Sequence, residues 1–259
     1  MRIDLNADLG EGVGDDAALL SLVTSANIAT GAHAGGGGVL DSAVAGAAAR
    51  GVAVGAHPSY RDRAGFGRTS GLAGLRSSRE ARAGFIADLA DQVMAVTAAA
   101  DRHGVPLTHV KPHGALYNEA VVDRLAAEVV VEAVDRVVRG CGYPVAVLTQ
   151  PGGALGSAAR SAGLSVVAEG FVDRRYTAAG RLVARDEPGA VLSDVDAMVA
   201  QATGLAAGRV RTVGGDMLAL QVDSLCVHGD TPGAVAAAQA VRAALVAAGW
   251  QIAAPMAAP

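Results

Sequence analysis

The sequence is poor in aromatic residues, with one tryptophan, four tyrosines and three phenylalanines in 259 positions. It also lacks a positive balance of charge, at a formal −4. Together these exclude a basic nucleic-acid footprint and a base-stacking platform. Two cysteines, Cys141 and Cys226, are too few for a disulfide framework and have no metal-finger spacing. A reducing cytoplasm is the simplest home for such a chain. No stretch reaches the ~18 uncharged apolar residues of a transmembrane helix, so no membrane partner is expected. The N-terminus carries Asp4, Asp8 and Glu11 where a secretory signal would have a cationic start and an apolar run. Disorder is excluded, because 51% of the residues are hydrophobic and the net charge is small.

Glycine is plentiful instead, at 34 residues with no three-residue period, so the excess does not indicate collagen. Short β-branched runs alternate with long Ala-rich stretches. Strands are expected over 3–6, 27–30, 52–56, 107–111, 145–148, 165–168 and 224–227. Each is nearly all apolar, as strands covered on both faces must be. Helices are expected over 78–103, with Ser78 as cap and Gly104 as stop, and over 118–138. A third opens at Ser193-Asp194-Val195-Asp196, with acids on the positive helix end. A last one opens at Thr231-Pro232 and stops at Gly249. This order predicts an α/β fold: a single parallel barrel of about seven strands over 1–252, with a disordered tail over 253–259. An open doubly wound sheet is the alternative, but no dinucleotide fingerprint opens the first helix. Three long loops interrupt the pattern, over 58–77, 172–192 and 210–222. The last reads as a hairpin around Gly214-Gly215-Asp216.

The polar residues are placed unusually. Polar, mostly ionisable side chains follow strand after strand: Asn6 and Asp8, His33, His57, His113, Glu169, then His228 with Asp230. The C-terminal ends of parallel barrel strands converge on one face, where barrel enzymes build their sites. Side chains two apart share a strand face. Asp4, Asn6 and Asp8 therefore point one way, as do His109, Lys111 and His113. Asp4 and His109 suit an internal ion-pair network as well as they suit catalysis. Asp8, Lys111 and His113 sit nearest the strand ends and read as catalytic. Histidines and a carboxylate arriving from separate strands could also hold a divalent metal, with Asp8, His57 and His113 as first ligands. The run Gly35-Gly36-Gly37-Gly38 is either an anion cradle or a turn. Arg61, Arg63, Arg68, Arg174 and Arg175 are candidates to clamp an anionic substrate. Both cysteines lie in apolar or glycine surroundings, and no serine sits in a nucleophile elbow.

Several blocks resemble one family. They are Asp4-Leu-Asn-Ala-Asp-Leu-Gly-Glu11, Ser25-Ala-Asn-Ile-Ala-Thr-Gly-Ala-His-Ala-Gly35, Gly55-Ala-His-Pro58, Gly65-Phe-Gly-Arg68, Val110-Lys-Pro-His-Gly-Ala-Leu-Tyr-Asn118, Phe171-Val-Asp-Arg174 with Tyr176, and Cys226-Val-His-Gly-Asp230. In this order they resemble the LamB/YcsF family over nearly the whole chain. The resemblance implies a distorted TIM-like barrel related to glycoside hydrolases and deacetylases. It implies ATP-dependent opening of 5-oxo-L-proline to L-glutamate, with ATP and Mg as cofactor and 5-oxoprolinase subunits B and C as partners. A homo-oligomer is compatible with it. For that reaction the expected catalytic residues are Asp8, His57, Lys111, His113, Glu169 and His228. Asn6, Glu11, His33, Tyr117 and Arg174 are expected to bind substrate, with Arg174 on its carboxylate. The rival readings are a stand-alone metal-dependent hydrolase or deacetylase, and a subunit that binds the lactam without catalysis. The chain departs from the family at Thr30, Ala32, Ala179 and Gly36, the last standing where a carboxylate is usual.

Overall fold

The computed structural model describes residues 1–229 and 233–255. The chain runs β1 (Arg2–Leu9), α1 (Asp16–Leu20), β2 (Ser25–Ala29), α2 (Gly37–Ala48), β3 (Ala53–His57), α3 (Leu72–Ser77), α4 (Arg79–Arg102), β4 (Leu107–Val110), α5 (Gly114–Val122) and α6 (Arg124–Cys141). It continues β5 (Ala146–Thr149), α7 (Ala154–Ser161), β6 (Ser165–Phe171), α8 (Val195–Ala206), β7 (Arg209–Arg211), β8 (Met217–Ala219), β9 (Ser224–Val227), α9 (Ala234–Ala247) and β10 (Gln251–Ile252).

Seven parallel strands close on themselves in the order β1-β2-β3-β4-β5-β6-β9, and β9 pairs back onto β1. The sheet is thus a barrel and not an open doubly wound sheet. β10 adds a short parallel step beside the start of β1, Arg2 opposite Gln251. That strand was not expected from the sequence. β7 and β8 form the antiparallel hairpin expected around Gly214-Gly215-Asp216. Asp230, the Thr231-Pro232 helix start and positions 256–259 of the tail lie outside the described residues.

Barrel strands such as β1, β5 and β9 are buried on both faces, because helices cover the outside and side chains fill the inside. On β1 the alternation is complete: Ile3, Leu5, Ala7 and Leu9 belong to the apolar core, and the residues between them are polar. α4 is long and apolar enough to cross a membrane by length and composition. Here its Ile86, Leu89, Val93, Val96 and Ala100 join the core instead. Ser78 caps it, accepting from the Ala81 amide, and Gly104 leaves it at φ +70°, as the sequence predicts.

The helix expected over 118–138 is two helices. Asp123 breaks the run with an extended backbone, and its carboxylate accepts from the Ala126 amide at 3.0 Å. The apolar period runs unbroken through this point, so periodicity alone reads one helix where an aspartate cap starts a second. Strand ends also shift. β1 extends to Leu9 and β6 to Phe171, so Asn6, Asp8 and Glu169 lie within strands and not after them. His57 is the last residue of β3.

The Gly35–Gly38 run turns the chain into α2, with Gly36 at the N-cap and Gly37 and Gly38 opening the helix. Gly35, Gly36 and Gly37 all have positive φ. A Cβ on Gly35 would sit 1.9 Å from the Gly10 carbonyl oxygen, and one on Gly36 would meet Gly31 Cα at 2.9 Å. Glycine is therefore required for loop and strand to approach. A carboxylate side chain at Gly36 does not fit this backbone, and the run does not border the cavity described below.

Candidate active site

The polar side chains inside the barrel form layers. At the bottom, Asp4 accepts hydrogen bonds from Thr24, Ser25 and Ser224. Above it, Asn6 Nδ2 donates to Ser224 Oγ (2.7 Å) and Glu169 Oε1 (3.1 Å). Asn27 Nδ2 bridges Asn6 Oδ1 and Asp8 Oδ1, each at 2.8 Å. His109 Nε2 lies 2.8 Å from Asn27 Oδ1, and Thr108 Oγ1 lies 2.7 Å from its Nδ1. The Nε2–H donates to Asn27, while the Thr108 hydroxyl beside Nδ1 donates to the Val54 carbonyl at 2.9 Å. Burial, then the Lys111 charge, pushes the His109 pKa down to about 3. A ring of this kind does not trade protons near neutral pH. Asp4 and His109 are thus network residues, and the catalytic reading of both is set aside. His109 also explains Gly55, whose Cβ would stand 2.1 Å from His109 Nε2.

Burial pushes the Asp4 carboxyl up to about 6, against the hydrogen bonds from Ser224, Thr24 and Ser25. The native state therefore holds this proton more tightly than the unfolded chain does. Stability from it is present at low pH and is lost as pH rises through about 6, a cost of about 3 kcal/mol once ionised. Asp4→Asn is expected to raise thermal stability near pH 8 and to leave it nearly unchanged near pH 4. Melting curves at the two pH values check this, and equal shifts at both would contradict it.

Lys111 lies just past β4 and is 2% exposed. Its Nζ donates to Asp8 Oδ1 at 2.9 Å, pairs with Glu169 Oε1 at 2.9 Å and lies 3.1 Å from Cys226 Sγ. Burial works against the charge, but the Asp8 and Glu169 carboxylates outweigh it and hold the lysine well above its ordinary pKa. Asp8 is likewise held low, against burial, by His57 and Lys111. The Tyr117 hydroxyl donates to the second oxygen of Glu169 at 2.7 Å. The floor of the site is therefore a fixed ammonium between two carboxylates. The placement of Cys226 extends the sequence reading: it packs in an apolar cluster with Tyr117, Val121 and Phe171, and its sulfur also faces the Lys111 ammonium. Burial raises its pKa well above the usual thiol value, so it stays a thiol.

Three histidines crowd one wall. His33 and His113 stack at 3.7 Å with planes 3° apart, and His57 meets both edge-on. His33 Nε2 contacts Glu11 Oε1 at 3.1 Å, and its Nδ1 lies 3.0 Å from Ser59 Oγ. Burial, then the neighbouring His57 and His33, lowers the His113 pKa well below the usual value. Phe66 is the only non-glycine residue with positive φ among those described, at +54°. This strained backbone aims its carbonyl at His113 Nε2, 2.9 Å away. Gly67 must follow, because a Cβ there would meet His113 Cδ2 at 2.8 Å.

Opposite, His228 Nδ1 bonds both oxygens of Asp173 at 2.8 and 2.9 Å. Burial disfavours the imidazolium, but Asp173 prevails and the His228 pKa is raised. Arg174 Nη2 donates to the Val183 carbonyl, and its buried Nε has no acceptor among the described residues.

These groups border a cavity of about 870 Å³. It brings together Asp8, Glu11, His57, Lys111, His113, Tyr117, Arg174 and His228. Asn6, Glu169 and His33 stand behind it, bonded to residues that line it or to each other. Of the arginine candidates, Arg68 and Arg174 line the cavity. Arg61 pairs with Asp88 on the surface, Arg63 donates to the carbonyls of Gly31 and Gly35, and Arg175 is not in the lining. Arg181, Arg185 and Gln150 line it and were not expected. Gln92, also not expected, ties the ends of β2 and β3 together by accepting from Thr30 Oγ1 and the Ser59 amide. Its place in the apolar stripe of α4 was the available signal.

A parallel β/α barrel whose strand ends hold a fixed ammonium, a histidine wall and an arginine-rimmed cavity has the layout that β/α-barrel enzymes use. The chain belongs to the LamB/YcsF family, whose sequence model matches residues 3–258. It is 46% identical over 95% of its length to the 5-oxoprolinase A subunit of Paracidovorax citrulli, covering 96% of that protein. It is 48% identical over 96% of its length to the protein of the same name from Streptomyces griseus, covering 98% of it. The crystal structure of the lactam utilization protein from Thermus thermophilus superposes with a TM-score of 0.88 at 38% identity. That match covers 98% of this chain and 100% of the other.

Proposed function

We propose that this chain is the A component of an ATP-dependent 5-oxoprolinase that opens 5-oxo-L-proline to L-glutamate together with subunits B and C. The observation that carries the reading is Lys111, a permanently charged ammonium held by Asp8 and Glu169 on the floor of a cavity rimmed by arginines. The substrate is a five-membered lactam that bears a carboxylate. The names of the relatives at 46% and 48% identity agree with this substrate.

An unstrained amide resists water, so activation by ATP and Mg is chemically reasonable. Transfer of the γ-phosphoryl group to the lactam oxygen gives an imidate phosphate and ADP. Water then adds to the ring carbon. Cleavage of the C–N bond, with a proton delivered to the leaving nitrogen, gives glutamyl phosphate, which hydrolyses to L-glutamate and phosphate. In this scheme Lys111 stabilises charge on the oxygen. The wall of His57, His113 and Asp8 is the side from which water is activated. His228, held protonated by Asp173, supplies the proton to nitrogen. Tyr117 and Asn6 fix Glu169, which holds Lys111. Glu11 and His33 support His113, and the unpaired Nε of Arg174 receives the substrate carboxylate.

The test is reconstitution with subunits B and C, following 5-oxoproline-dependent release of ADP and glutamate. Both products should require this chain. Equal glutamate formation without it would defeat the reading. Within that assay, Arg174→Ala should raise KM for 5-oxoproline by about 10–100-fold, the worth of one charge-assisted contact, with a smaller change in kcat. An unchanged KM for 5-oxoproline would remove Arg174 from the carboxylate.

A further inference from the structure

His57 Nε2 and His113 Nδ1 face each other at 2.9 Å. Their outer nitrogens are already committed. His57 Nδ1 lies 2.7 Å from the Lys111 carbonyl oxygen, and His113 Nε2 lies 2.9 Å from that of Phe66. A carbonyl only accepts, so both outer nitrogens carry hydrogen. Two neutral rings would then point bare lone pairs at each other at hydrogen-bond distance. Such an arrangement repels, so a cation belongs between them. It is either a shared proton or a metal ion.

The surroundings favour the metal. Asp8 Oδ2 lies 3.4 Å from His57 Nε2, and one donor atom from each of Asp8, His57 and His113 falls within 4.8 Å of the other two. Imidazoles that bind metals usually donate the other ring N–H to a carbonyl or carboxylate, which fixes the tautomer. Both rings do so here. Two other clusters are weaker. Glu11 is engaged by His33 at 3.1 Å, and in the other Cys226 is a fully buried thiol whose proton must leave before its sulfur can bind a metal.

We propose that Asp8, His57 and His113 bind one divalent transition-metal ion, of the zinc or manganese class, in the place of the shared proton. Two imidazoles and one carboxylate suit such ions. All three residues border the cavity, so the ion is open to a ligand from it. The inference does not depend on the lactam reading, and its test uses the chain alone without 5-oxoproline.

The full-length chain, stripped by chelator, is titrated calorimetrically with Zn²⁺ and with Mn²⁺ in buffers of different ionisation enthalpy. One ion per chain should bind, with release of the proton held between the rings. Loss of an outer-shell partner alone weakens such sites by about 10–100-fold, so His57→Ala and His113→Ala should each weaken binding by more than that. Failure of the wild-type chain to take up either ion at millimolar concentration would overturn the assignment. So would unchanged binding by the folded double variant. If the variants do not fold, proton release by the wild type still decides: binding without it puts the ion elsewhere.

Discussion

Lys111→Met is expected to cut lactam-dependent turnover in the reconstituted complex by about 10²–10³-fold and to destabilise the barrel at the same time. The ammonium touches Asp8 Oδ1 and Glu169 Oε1, both at 2.9 Å, and all three groups are buried. Methionine fills most of the volume but leaves two carboxylates without their shared counter-charge. Removing one partner of a buried ion pair costs about 3–5 kcal/mol. Loss of a donor to a developing oxyanion costs about 10²–10³-fold in kcat. Thermal melts and glutamate formation measure the two effects separately. Lys111→Arg tests whether charge alone suffices, since a planar fork replaces a point charge. A folded Lys111→Met protein with wild-type turnover would remove Lys111 from the chemistry.

Asp173→Asn should have the second largest effect, through His228. Burial disfavours the His228 imidazolium, and Asp173 overcomes this to raise its pKa. Asp173 is itself held low, against burial, chiefly by His228. If His228 is the acid that protonates the lactam nitrogen, kcat falls on the alkaline side as this proton is lost. Asparagine keeps the shape but removes the charge that raises the pKa. The alkaline limb should therefore move to lower pH, and kcat should drop by about 10²-fold, the lower end of what a general acid contributes. The pair also stabilises the fold. The His228 part is complete below the ordinary histidine pKa of about 6.5 and is lost as pH rises through the raised native value. The Asp173 part is present above about 3.9 and is lost as pH falls through its lowered native value. A full pH–rate profile checks the first statement. An alkaline limb that stays in place with Asp173→Asn would show that His228 is not the group titrating.

Much of this site can be read from strand parity. Asp4, Asn6 and Asp8 share a face, as do His109, Lys111 and His113, and all six are buried. The same rule applied to β9 would have found Cys226, two residues from both Ser224 and His228. Its apolar neighbours in sequence concealed its charged neighbours in space. Parity cannot rank depth, however. Asp4 and His109 look like Asp8 and His113 in the sequence. Only their partners, hydroxyls and an amide in place of open cavity, separate structure from chemistry. The arginines show the opposite limit. Arg61 and Arg68 stand in one loop with similar neighbours, yet one turns to Asp88 on α4 and the other lines the cavity. Long side chains on loops take direction from contacts that no local pattern encodes.

The pairing of β1 with β9 also bears on how the protein forms. Asn6 and Ser224, bonded inside the barrel, are 218 positions apart in the chain. Contacts of this separation form slowly, because a long loop must close before they reward it. A ribosome must therefore release almost the whole polypeptide before the sheet can seal. Until then Asp4, Asn6 and Glu169 lack Ser224 or its strand as a lid, and two open edges remain available for mispairing. A completed site and protection from aggregation thus arrive in the same late step, when the last barrel strand docks.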